Sequence, residues 1–191
     1  MKIEYSKLAS RTKSSEIREL LKYTRIKNII SFAGGLPDPS LFPIKDVTRI
    51  TKEVLEEKGF LALQYGPTTG EPDFIEAIKA HMIQFGEDVE LDQICVSSSS
   101  QQGLDLVSLV MLNEGDEIIV ELPSYLGGLQ AFERTGCVMN GVPVLDDGMD
   151  LEILSNLIEK KLSVGKKIKF IYTIPDYQNP SGIILSKEKR L

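Results

Sequence analysis

The chain has 191 residues, 42% of them hydrophobic and 26% charged, with a formal net charge of -6. That length holds one well-packed domain and rarely two. The acidic balance, with basic runs no longer than Lys166-Lys167 plus Lys169 and Lys187 plus Lys189-Arg190, argues against nucleic acid as a partner.

The N-terminus (Met1 to Ser6) has no apolar signal core and no segment reaches membrane-spanning length, so a cytoplasmic protein without a membrane partner is expected. Ser15 to Thr24 fits a short serine-capped helix. Ile29 to Phe32 then leads into a Gly- and Pro-rich loop, Ala33 to Pro39. An amphipathic helix is predicted from Asp46 to residue 58 and another from Glu71 to Phe85, with Ile75, Ile78, Met82 and Phe85 on one face. His81, the one histidine, lies on that second helix and is given no role.

From Ile94 the pattern becomes regular. Strand-like Ile94 to Val96 precedes a helix at 101–112, and Glu117 to Val120 precedes one at 126–134. Cys137 to Met139 precedes a helix at 150–162, and Ile168 to Ile174 closes the series. Strands alternating with helices argue for βαβ units, hence an α/β three-layer sandwich with a mostly parallel sheet. Cys95 and Cys137 lack metal-ligand spacing and read as buried free thiols; no metal site is expected.

Three features fall at predicted carboxyl ends of strands, where open α/β sheets bind ligands. Ser97 to Gln102 stands between a strand and a helix, so free N–H groups and hydroxyls there suit an anion. The same serines serve equally as a plain helix cap. Tyr125 opens the next helix and offers either a flat platform for a ring or a core aromatic. Asn179, in Asp176-Tyr177-Gln178-Asn179-Pro180-Ser181-Gly182, is a neutral donor in a turn that Asn-Pro alone would favour.

With Ser31 to Pro37, Leu63 to Gly70, Ser100-Gln101-Gln102, Pro123 to Gly127 and Ile174 to Gly182 in this order, the chain resembles the pyridoxal-phosphate aminotransferases of fold type I, class I. Within them it is most similar to the branch of 2-aminoadipate and kynurenine aminotransferases. The resemblance implies pyridoxal 5'-phosphate (PLP) as cofactor, an amino acid and a 2-oxo acid as substrates, and a homodimer. It implies that Ser100 and Gln101 hold the phosphate and that Tyr125 stacks on the pyridine ring. Asn179 would bond the phenolic oxygen, and Tyr65 would reach the partner subunit's cofactor. Gly35 would lie by the substrate carboxylate and Arg11 near its side chain. Ser99 stands where the family usually has Gly, and Asn179-Pro180 is expected to be cis.

The family's Schiff-base lysine, pyridine-pairing aspartate and carboxylate-binding arginine follow well after the Asn-Pro turn and have no match in the sequence. The chain is therefore expected to be the N-terminal half of the enzyme, with no catalytic residue of its own and no transamination alone. Residues 1–45 would form the N-terminal arm and part of the small domain, and 46–191 the beginning of the PLP-binding large domain. Of the family's sheet, in order 3-2-4-5-6-7-1, strands 3, 2 and 4 would pair. Strand 1 (Ile94 to Val96) would stand apart, leaving Ser100 unfixed relative to Asn179. Lys187 and Lys189 are expected in solvent. Two other readings are an effector domain of a transcriptional regulator, which shares this fold, and a non-catalytic fragment that binds a partner.

Overall fold

A computed structural model describes residues 4–12, 26 and 37–191. The predicted helix at 15–24, the segment Ile29 to Phe32 and Gly35 lie outside these. The described residues group into two compact units, one of 37–99 and one of 100–191 with 4–12 and 26.

The unit 37–99 is helical. A 3-10 turn at Pro39–Leu41 is capped by the Asp38 carboxylate, which accepts from Ser40 N. The short helix α1, Lys7–Arg11, belongs to the other unit; α2 spans Ile44–Ala62 and α3 spans Pro72–Gln84. Both are longer or shorter than their sequence signals by a few residues at most, and α3 starts on Pro72, where proline's missing N–H costs nothing. Ile94 to Val96 forms no ladder. Ile94 is extended and nearly buried, but the neighbour of Val96 is a loop, its N–H donating to Thr69 O at 2.8 Å. An apolar triplet becomes a strand only beside another strand, and none of the described strands borders it.

The unit 100–191 carries the sheet. Its strands are β1 (Glu117–Leu122), β2 (Val138–Leu145), β3 (Gly148–Met149) and β4 (Ile168–Tyr172), in spatial order β3-β2-β1-β4. β1 pairs in parallel with both β2 and β4, and β3 returns antiparallel on β2. The expected pairing of three parallel strands is met, with β1 central. The antiparallel β3 carried no sequence signal beyond Asp147-Gly148, where Gly148 turns at φ 116°.

Helix α4 (Ser100–Met111) leads into β1, and α5 (Leu126–Glu133) and α6 (Leu151–Ser163) fill the crossovers. Asp150 caps α6, its carboxylate accepting from Glu152 N and Ile153 N at 3.0 Å each. β1 alternates between two cores. Ile118 and Val120 pack with Leu112, Ala131 and Phe132, whereas Ile119 packs with Val142 and Met149 beneath Leu154, Leu157 and Ile158 of α6. A strand apolar on both faces is what a covered parallel sheet requires. Phe132 is 1% exposed and meets Phe170 and Tyr172 edge to face at 5.5 and 5.1 Å.

Coverage is uneven. β4 forms one edge of the sheet, and Val110 of α4 is 81% exposed, with Leu106, Val107 and Ile171 also open. At the amino end of β1, Lys161 pairs with the buried Glu117 carboxylate and holds it below the ordinary value of 4.5. A lowered folded pKa favours the folded state at pH above that value, and the contribution is lost as pH falls through the folded value. Urea melts are therefore expected to show stability dropping on acidification below about pH 4.5, less steeply in Lys161→Met. Phe132→Ala is expected to lose about 3–5 kcal/mol at neutral pH.

Candidate active site

The carboxyl edge of the sheet opens into an apolar groove of about 1060 Å³ between α4 and β4. Its long walls come from residues such as Leu104, Val107, Phe170 and Tyr172. Its polar groups are Ser100, Tyr125 and Asn179. The structure thus brings together three of the residues singled out in the sequence. Ser100 is located by its helix, because Leu104 packs on the Phe132 core and Asp105 pairs with Arg134. It is not left unfixed relative to Asn179, as the missing strands had suggested.

Ser100 opens α4. Ser99, before it, does not take the left-handed conformation: among the described non-glycine residues only Tyr177 has positive φ, at 50°. Serine is accommodated there without strain, and Ser97 Oγ donates to Ser99 O at 2.9 Å. Gln101 lies along the same turn. Its Nε2 donates to Gly127 O at 3.0 Å, and Tyr125 OH donates to its Oε1 at 3.3 Å. Gly127 makes this possible, since a Cβ there would collide with both Gln101 and the Tyr125 ring. Tyr125 is the N-cap of α5 and presents no side-chain cap bond, leaving its ring for the groove.

The turn carrying Asn179 is built around groups that sequence reasoning passed over. Glu121, 2% exposed at the end of β1, accepts from Thr173 Oγ1 at 2.6 Å, Ile174 N at 3.2 Å and Gln178 Nε2 at 3.1 Å. Gln178, also 2% exposed, donates a second bond to Pro123 O at 2.8 Å. Its Oε1 accepts from Ser181 N at 2.9 Å and Ser181 Oγ at 2.6 Å. Every donor and acceptor of that amide is used. Glu121 had one signal in the sequence, a charge closing the apolar run Ile118-Ile119-Val120. Asn179-Pro180 is cis, as expected, and so is Leu122-Pro123.

Of the remaining predicted residues, Gly35 lies outside the described ones. Arg11 is ion-paired with Glu114 and donates to Thr135 O at 3.3 Å, at the opposite, amino edge of the sheet. Tyr65 belongs to the unit 37–99 and is fully exposed. Lys189 is a correction: rather than standing in solvent, its ammonium group donates to Asp147, Gly148 O and Met149 O, and its side chain is 14% exposed. It ties the C-terminal helix α7 (Lys187–Arg190) to the β2–β3 hairpin. The thiols differ from expectation in part: Cys137 is half-buried, its pKa raised by burial, but Cys95 is exposed. Among the described residues no group of acidic, His and Cys side chains could hold a metal, and no helix is long and apolar enough to cross a membrane.

Helices on both faces of a mostly parallel sheet, with polar groups gathered at its carboxyl edge, define the three-layer α/β class. The chain belongs to the family Aminotransferase class I and II, which it matches over residues 27–190. It is 41% identical over 188 residues to an aromatic-amino-acid aminotransferase of Thermococcus litoralis, covering 97% of this chain and 45% of that one. It is 40% identical over 189 residues to a 2-aminoadipate transaminase of Thermus thermophilus, covering 98% and 45%. Its structure superposes on Pyrococcus horikoshii kynurenine aminotransferase, solved with PMP, with a TM-score of 0.88 and 39% identity, over 97% of this chain and 46% of the other. The chain thus spans about half the length of the relatives it matches. A more distant relative is a Bacillus subtilis HTH-type transcriptional regulator, 29% identical over 180 residues.

The groove perturbs one of its own side chains. Burial raises the Tyr172 phenol above its ordinary value of 10.0, with Tyr125 and Glu121 adding to the effect. In an ultraviolet alkaline titration one tyrosine is expected to ionise after the others, and Tyr172→Phe is expected to remove that last step.

Proposed function

We propose that this chain forms the cofactor-phosphate and ring wall of a PLP-dependent aminotransferase acting on an amino acid and a 2-oxo acid. The observation that carries this is the convergence of Ser100, Tyr125 and Asn179 on one groove, in a chain of that family. The donor set fits the group. A helix start with a serine hydroxyl suits a phosphate, an aromatic face suits a pyridine ring, and a neutral amide suits a phenolic oxygen. The glycine at 127 clears the space in which Gln101 and Tyr125 meet.

When bound, PLP supplies an electron sink for reactions at an amino acid's α-carbon. The residues of this chain bind and orient. Ser100 and the α4 N–H groups hold the phosphate, with Gln101 beside them. Tyr125 fixes the ring plane, and Asn179 donates to the phenolic oxygen and favours its anionic form. The apolar groove walls offer the cofactor ring a surface to bury, although Val107 and Val110 stay open to solvent in this chain. No lysine lines the groove among the described residues, and Lys189 is held on the β2–β3 hairpin. Proton transfer at the α-carbon therefore needs a base from the part of the family fold that this chain does not match, and by itself the chain binds without turning over.

The same reading gives the complete enzyme as a cytoplasmic homodimer in amino-acid metabolism. Tyr65, fully exposed, would reach the partner copy's cofactor, and Gly35 would lie by the substrate carboxylate. Arg11, paired with Glu114 at the amino edge of the sheet, would meet the substrate side chain only after leaving that edge altogether. Residues 1–45 would be the arm and part of the small domain, and 46–191 the start of the large domain. The likeness to a transcriptional regulator supports an effector-binding domain as the second reading; it shares the cofactor wall and differs in having no turnover in any complete form.

Titration of the purified chain with pyridoxamine 5'-phosphate, followed by its fluorescence, is expected to saturate. Asn179→Ala and Tyr125→Leu should each weaken binding about tenfold, equivalent to ~1.4 kcal/mol. Amino transfer from 2-aminoadipate to 2-oxoglutarate should be undetectable. Turnover by the chain alone, or binding indifferent to both substitutions, would refute this reading.

A further inference from the structure

Asn179 has to be held within a few tenths of an ångström to choose between the two ionisation states of a phenol, yet it sits on a turn rather than on a strand or helix. We propose that Glu121 and Gln178 are positioning residues: the buried Glu121 carboxylate, acting through the Gln178 amide, sets the place of Asn179 at the groove and thereby the ionisation of whatever phenol binds there. This rests on the proposed cofactor wall and extends it to two residues that need not touch the cofactor.

A carboxylate at 2% exposure is costly unless donors surround it. Glu121 has three neutral ones: the Thr173 hydroxyl and Ile174 N–H where β4 ends, and the Gln178 amide in the turn. A cation in that place would neutralise the carboxylate wherever it reached it. Neutral donors satisfy it only in this geometry, so the charge selects one conformation of the turn. Gln178 passes the selection on, for its other bonds reach Pro123 O, two residues before Tyr125, and Ser181, two residues beyond Asn179. Its backbone closes the turn as well, with its N–H donating to Ile183 O at 2.9 Å. The platform tyrosine and the phenol-binding asparagine are thus referred to one buried amide. If Glu121 and Gln178 served stability alone, their loss would lower the melting temperature and leave the bound phenol unchanged.

The test uses the whole chain with pyridoxamine 5'-phosphate as probe. Gln178→Leu keeps the volume and removes all four side-chain bonds. Glu121→Gln is milder: it removes the charge and one acceptor, its new amide nitrogen facing either Gln178 Nε2 and Ile174 N or the Thr173 hydroxyl. Leu157→Ala, on the other core beneath α6, is the control for stability. Both bracket variants are expected to weaken the probe about tenfold, the order carried by outer partners that orient ligating groups, and to raise the pH at which its bound phenol ionises. Leu157→Ala should lower the melting temperature while leaving affinity and ionisation pH as in the parent. An unchanged ionisation pH in a folded Gln178→Leu or Glu121→Gln chain would overturn the proposal. If the parent itself does not bind the probe, the cofactor reading fails and the Asn179 side-chain amide resonances decide the bracket. They should be sharp in the parent and shifted or broadened in both variants; identical resonances overturn it.

Discussion

A carboxylate buried at a sheet edge has to be surrounded by donors, and Glu121 gathers them from segments more than fifty residues away in the chain. That single requirement ties the end of β1 to the end of β4 and to the turn at 176–182. β1 can carry the charge because its inner residues are committed to two cores. Ile118 and Val120 face α5, and Ile119 faces α6, so the strand is fixed before its last polar residue is reached. Burial thus precedes placement. The apolar strand sets the position of the carboxylate, the carboxylate sets the turn, and the turn sets Asn179.

The groove follows from the same layering. α4 and β4 each bury one side on the Phe132 core and leave the other open, as the exposure of Val110 and Ile171 shows. An open apolar groove with polar groups at one end is a binding shape. In the family to which this chain belongs, the relatives matched are about twice as long. Large exposed apolar side chains and an edge strand in the same place are liabilities for a free chain, since both invite association.

Much of this was legible in the residues. The alternation of strands and helices from Glu117 onward gave the crossovers and the pairing around β1, because near-continuous apolar runs such as Ile118 to Val120 have few other uses. Ser100, Tyr125 and Asn179 were identifiable because each follows such a run. What could not be read depended on partners remote in sequence. Ile94 to Val96 has strand composition, but the Val96 N–H bonds to a loop and the Ile94 N–H to the preceding turn, and local propensity does not say who the neighbour is. Lys189 looked like a surface cation until the β2–β3 hairpin supplied two carbonyls and Asp147. The Glu121–Gln178 bond joins residues 57 apart, and Gln178 in the sequence is merely one polar residue in a polar turn. For Arg11 the ion pair with Glu114 decided its place, and that too is a long-range contact.

If Ser100, Tyr125 and Asn179 form one cofactor wall, its geometry is set from within this chain. A crystal structure of the chain with pyridoxamine 5'-phosphate tests it most directly. The expected result is the phosphate at the start of α4 by Ser100, the ring on Tyr125, and the phenolic oxygen within hydrogen-bond distance of Asn179 Nδ2, with the Glu121–Gln178 contact intact. A probe seated elsewhere, or in the groove with its phenolic oxygen turned away from Asn179, would contradict the account.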